Sequence, residues 1–235
     1  MSAARRDELS SRLQQVRGRV DSAARLAGRS PDEVTLVVIA KTWPASDVRI
    51  LCDLGVRDVG ENRVQELEAK AGELADLPLT WHFVGQIQSN KAARIPAYAS
   101  VVHSVSSPRV VARLNAGAHR HDRSVDCFVQ VSLDDDGSAA GRGGAPPDEV
   151  ERVASDVEST GRLRLAGFMG VAPLGADPVT AFERLAQQAT DLRSRYPSAR
   201  QLSAGMSVDF EAAISAGATH VRVGSAILGE RPANR

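Results

Sequence analysis

Short apolar runs alternate with stretches of helical spacing along almost the whole chain, and this alternation limits the fold more than any single residue does. The strand candidates are Thr35–Ala40, Asp58–Gly60, Thr80–Val84, Val101–Ser104, Val125–Ser132, Leu163–Met169, Gln201–Ser203 and Thr219–Val223. Helical patterns follow at Ser46–Leu54, Arg63–Leu77, Pro108–Ala118, Pro147–Ser159, Pro178–Tyr196 and Val208–Ala216. Several of the apolar runs are unbroken, as parallel strands are when helices cover both faces of the sheet. Eight strands, each leading into a helical stretch, predict an α/β protein of the (β/α)8 TIM-barrel class. A doubly wound open sheet is the alternative. It usually needs fewer strands, and no Gly-x-Gly-x-x-Gly turn follows the first one here.

Ahead of the first strand, Leu9, Leu13, Val16, Val20 and Leu26 recur at helical spacing with charged residues between them. Residues 1–30 therefore read as an additional N-terminal helix packed on the barrel, and residues 1–235 as one domain. One stretch, Asp134–Pro147, is rich in Asp and Gly and too poor in apolar side chains to join a core. After the fifth strand it would lie on the face where barrels place their active sites, either as a lid or, the plainer reading, as a tolerated surface insertion.

Composition removes several classes of function. Lys plus Arg and Asp plus Glu balance at 29 each, so no global field draws the chain to nucleic acid or to an anionic membrane. No apolar stretch approaches a membrane span, and the amino terminus lacks the apolar core of a secretion signal. Cys52 and Cys127 form neither a disulfide framework nor a zinc pattern, and no metal site is expected. A cytoplasmic protein is the expectation.

Lys41 directly follows the most strand-like run. Taken alone it is most simply a lysine that buries its stem and keeps its head in water. At the mouth of a barrel, desolvation would instead make its amine a nucleophile able to form a Schiff base with an aldehyde or ketone. Asn62, after the second strand, either caps the next helix or points its amide into the same mouth. His82 and His103, within strands, read as hydrogen-bonded core residues before they read as bases.

The loops after the last two strands, Ser203-Ala204-Gly205-Met206-Ser207 and Arg222-Val223-Gly224-Ser225-Ala226, combine small residues with helix starts. Such loops present backbone N–H groups, and in barrels they recur as phosphate sites. Separately, Ser207 is a helix cap and Gly224 a turn residue. Together, and opposite an aldehyde-reactive amine, they suggest pyridoxal 5′-phosphate. Arg222 would then reach the pyridine nitrogen, leaving the ring a weaker electron sink than an aspartate partner would. Without a ligand, Arg222 reads as a buried ion-pair partner.

Five ordered segments carry a resemblance. They are Ala40-Lys41-Thr42, Gly60–Glu66, Trp81–Lys91, Gly205–Phe210 and Arg222–Arg231. The chain resembles the pyridoxal phosphate homeostasis proteins, single-domain relatives of the amino-terminal barrel of alanine racemase. That resemblance implies Lys41 as the Schiff-base lysine, Met206, Ser207, Gly224 and Ser225 as the phosphate site, Arg222 at the ring nitrogen and Asn62 as a lining residue. Ala204 and Leu228 depart from the methionine and phenylalanine often found in the family. The Asp134–Pro147 loop departs too. The function implied is storage, buffering or delivery of the cofactor by a monomer, with apo-enzymes that use the cofactor as recipients and no residue with a catalytic role. The alternative is an amino-acid racemase of low activity. The racemases draw a second acid/base from a carboxyl-terminal domain, which this sequence is not expected to supply.

Overall fold

The computed structural model describes residues 3–134 and 142–230. Eight strands, β1 (Thr35–Ile39), β2 (Asp58–Glu61), β3 (Thr80–Phe83), β4 (Val101–Val105), β5 (Val125–Gln130), β6 (Leu163–Met169), β7 (Gln201–Ser203) and β8 (His220–Val223), run in sequence order around a closed barrel. Every pair is parallel, and closure comes from β1 lying against β8, with Thr35 opposite His220 and Val38 opposite Val223. Closing the sheet removes the edge strands that an open sheet would expose.

Side chains on alternate sides of each strand serve different layers. On β5, Val125, Cys127 and Val129 join the main apolar cluster beneath the helices, whereas Phe128 belongs to a separate small cluster with Val101 and Met169. The Phe128 ring stacks on His103 from β4 at 4.6 Å and meets His220 from β8 edge-on at 5.1 Å, so these rings fill the barrel interior.

The outer ring consists of α2 (Ala45–Asp53), α3 (Val64–Glu73), α4 (Pro108–Arg120), α5 (Val150–Glu158), α6 (Pro178–Arg193), α7 (Phe210–Ser215) and α8 (Ser225–Leu228). The last two are short, and α1 (Ala3–Leu26) packs on both as well as on α2. Leu9, Leu13 and Val16 are buried on that face, each contributing about 1.5–3 kcal/mol of apolar burial.

Differences from the sequence expectations have local causes. After β3, where the sequence marked no particular helical segment, the chain forms a 3-10 helix at Ala92–Ala97, and Pro96 within it lacks the N–H a longer helix would need. β5 ends at Gln130, two residues before the expected Ser132, because Val131 makes a single parallel bridge to Ala145. α5 begins at Val150 rather than Pro147, α3 ends at Glu73 rather than Leu77, and the N-terminal helix occupies Ala3–Leu26 of the expected residues 1–30. The lid read into the Asp134–Pro147 loop falls largely on residues 135–141, which lie outside the described residues. Its far end is tied down, with Gln130 Nε2 donating to Arg142 O at 2.9 Å.

Candidate functional site

At the carboxyl end of the barrel, a cavity of about 520 Å³ opens among the loops after β1, β2, β3, β7 and β8. Its size suits a small molecule, for which sites of roughly 300–1,000 Å³ are usual. All seven residues singled out from the sequence, Lys41, Asn62, Met206, Ser207, Arg222, Gly224 and Ser225, line it. Trp43, Val84 and Val208 add apolar wall that the sequence reading assigned no role.

Their local structure separates the competing readings. Asn62 is not a helix cap: the cap position of α3 is Arg63, which makes no side-chain cap bond. Ser207 is not a cap of the helix that follows, since α7 starts at Phe210 with Asp209 before it. The Ser207 hydroxyl instead accepts a hydrogen bond from Ala226 N at 3.3 Å, joining the β7 and β8 loops. Gly224 has no side chain to cap α8, so the Ser207 hydroxyl takes this first-turn N–H instead, and Ser225 stands exposed at the helix start. Gly205 is required by its backbone, with φ at 87°, where an added Cβ would lie 2.7 Å from Phe210 Cα.

Arg222 is a buried cation between the cavity and the barrel interior. Its Nη1 donates to Ser203 Oγ at 2.5 Å and its Nη2 to Gly170 O at 3.0 Å. Burial lowers its pKa to about 10, with Asp209 opposing the shift. Behind Ser203, a chain of polar groups crosses the barrel: Ser203 Oγ to His103 Nδ1 at 2.8 Å, His103 Nε2 to His82 Nδ1 at 2.8 Å, and His82 Nε2 to Asp58 Oδ1 at 3.0 Å. One direction of donation satisfies every link. With Arg222 giving to Ser203, Ser203 gives to His103, His103 to His82, and His82 to the Asp58 carboxylate. Burial holds the His103 pKa well below that of an ordinary histidine, with nearby His82, His220 and Arg222 adding to the effect. His220 falls to about 4, again chiefly through burial. Both histidines are thus neutral at pH 7, and His82 and His103 are hydrogen-bonded core residues, as the sequence suggested.

The charged side chains on the cavity wall are of one sign. Among the described residues lining the cavity there are two cations, Lys41 and Arg222, and no carboxylate, histidine, cysteine or tyrosine. No group of three or more His, Cys, Asp or Glu that could hold a metal ion occurs among the described residues.

Comparison with known proteins places the chain in a family. Residues 12–232 match the family described as alanine racemase, N-terminal domain. A protein of Mycobacterium bovis named pyridoxal phosphate homeostasis protein is 42% identical, the alignment covering 97% of this chain and 94% of that protein. A protein of the same name from Escherichia coli K12 is 37% identical over 96% of this chain and 97% of its own length. Among solved structures, PipY of Synechococcus elongatus with PLP bound superposes with a TM-score of 0.82 at 32% identity, covering 94% of this chain and all of that one (100%).

Proposed function

Because the chain belongs to the pyridoxal phosphate homeostasis protein family, within the alanine racemase N-terminal-domain fold, we propose that it binds pyridoxal 5′-phosphate reversibly through Lys41 and serves to hold and deliver it. The observation that carries the proposal is the composition of the cavity: among the described residues its charged side chains are two cations with no acid, and two serine hydroxyls lie at the start of α8. This donor set suits a phosphorylated, anionic ligand. The apolar wall of Trp43, Val84 and Met206 suits a flat ring.

Each residue then has a task that its position supports. Ser207 and Ser225, with the backbone at Gly224, hold the phosphate. Arg222, fixed by Ser203 and Gly170, donates to the ring nitrogen. Asn62 lines the pocket beside Lys41. The cofactor supplies an aldehyde, and the Lys41 amine condenses with it, expelling one water to form a Schiff base that hydrolysis reverses.

Holding is favoured over turnover by what the cavity lacks. Racemisation through two bases needs a second proton carrier facing Lys41, and no carboxylate, histidine, cysteine or tyrosine lines the described cavity, while the serine hydroxyls are assigned to the phosphate. We therefore place the protein among cofactor carriers rather than enzymes, acting as a cytoplasmic monomer that supplies apo-enzymes. No helix among the described residues is long and apolar enough to cross a membrane.

Mixing the purified chain with pyridoxal 5′-phosphate should produce the visible absorption of the Schiff base, and Lys41→Ala should not. A colourless mixture with wild-type protein would overturn the cofactor reading. Incubating the coloured protein with single enantiomers of amino acids should leave optical rotation constant over hours, whereas its rapid loss would establish a racemase.

A further inference from the structure

Lys41 sits on a backbone segment held in an unusual shape. Thr42 has φ at 68°, the left-handed region, where a β-branched residue is rare and costs about 1–2 kcal/mol. Such a conformation persists only when its surroundings enforce it. Here the enforcement comes from α3. Lys70 Nζ donates to Ala40 O at 2.8 Å, on one side of Lys41. Glu66 Oε2 accepts from Thr42 N at 3.0 Å, on the other.

The two contacts belong to one ionic cluster. Lys70 Nζ lies 2.5 Å from Glu61 Oε1 and 3.6 Å from Glu66 Oε2, and Glu61 Oε2 accepts from Asn62 N at 3.3 Å. Glu61 is completely buried and Lys70 is 8% exposed. A buried ion pair of this kind is weak evidence for stability, because desolvating both charges offsets much of their attraction. Its geometry nevertheless grips the backbone on both sides of Lys41 and at Asn62, two residues of the cavity wall.

We propose that Lys70 is a positioning residue for Lys41: with Glu61 and Glu66 it braces residues 40–42 so that the Lys41 amine is presented to the aldehyde of a bound cofactor. The proposal rests on the cofactor reading above. It makes Lys70 a determinant of how fast the carbon–nitrogen bond forms, and leaves the phosphate and ring contacts to other residues.

The test compares two probes on the full chain. Pyridoxal 5′-phosphate needs Lys41 to bond, whereas pyridoxamine 5′-phosphate has the same ring and phosphate but no aldehyde. Lys70→Met should slow the appearance of the visible band at least tenfold while changing affinity for pyridoxamine 5′-phosphate less than twofold. Glycine adopts a positive φ without strain, so adding Thr42→Gly to Lys70→Met should restore the rate to within threefold of wild type. Glu66→Leu, which removes the acceptor for Thr42 N while keeping Lys70 and Glu61 in place, should slow the band at least threefold and covers the case in which Lys70→Met does not fold. An unchanged rate in Lys70→Met or Glu66→Leu would overturn the brace. So would a parallel loss of pyridoxamine 5′-phosphate affinity, or a double variant as slow as Lys70→Met. Wild-type protein that binds pyridoxamine 5′-phosphate yet gives no band would instead refute the covalent reading on which the brace rests.

Discussion

Gly85 shows how little tolerance the cavity wall has at the level of one atom. A Cβ added there would lie 2.0 Å from the carbonyl oxygen of Asn62, and a backbone atom cannot swing away as a side chain can. Gly85→Ala should therefore displace Asn62, lower stability by about 1–3 kcal/mol in urea unfolding, and weaken uptake of pyridoxal 5′-phosphate. A variant with wild-type stability and uptake would show that the Asn62 segment yields freely. The need for glycine here is invisible in the sequence, because φ is ordinary and only the approach of the loop after β2 forbids the side chain. Lys41, Asn62, Ser207 and Arg222 were legible because polar residues at strand ends carry a chemical signal. Trp43 and Val84 carried none. Glu66 and Lys70 were given no role from the sequence, since a charged pair four apart on a helix carries no sign that folding will bury one of them.

At the scale of elements, strands were more legible than their ends. β6 and β7 match the apolar runs residue for residue, whereas β5 stops early where the chain turns out to meet Ala145. The sequence placed His82 and His103 on β3 and β4, but it could not show that one hydrogen-bonded chain runs from Asp58 to Arg222 across the interior. That chain has a consequence for acid stability. His103 and His220 have folded pKa values below the usual 6.5, so between that value and about 4 for His220 the unfolded chain binds more protons than the folded one. Stability then rises with pH across this window and is lost as pH falls through it, by up to about 1.4 kcal/mol per pH unit for each histidine. Urea midpoints measured from pH 7 down to pH 4.5 should decline, and His220→Gln should decline less steeply. Equal slopes in the two proteins would show that His220 is not held neutral.

For the molecule as a whole, alternation of strand and helix was enough to foresee the barrel, and the barrel then gathers residues far apart in sequence at one mouth. What alternation could not foresee is how α1 supports that mouth. Arg5 donates to Asp47 at 2.7 Å and to Leu228 O at 3.0 Å, and its guanidinium lies 4.6 Å from the centre of the Trp43 ring. The helix ahead of the barrel thus ties α2, α8 and the cavity wall together. The sequence holds only three lysines, Lys41, Lys70 and Lys91, so attachment of the cofactor through Lys41 can be measured directly. Protein mixed with pyridoxal 5′-phosphate is reduced with borohydride, digested, and mapped by mass. The reduced cofactor should be found on the peptide containing Lys41, and nowhere in Lys41→Ala. Label on Lys70 or Lys91 at comparable yield, or no label at all, would contradict attachment through Lys41.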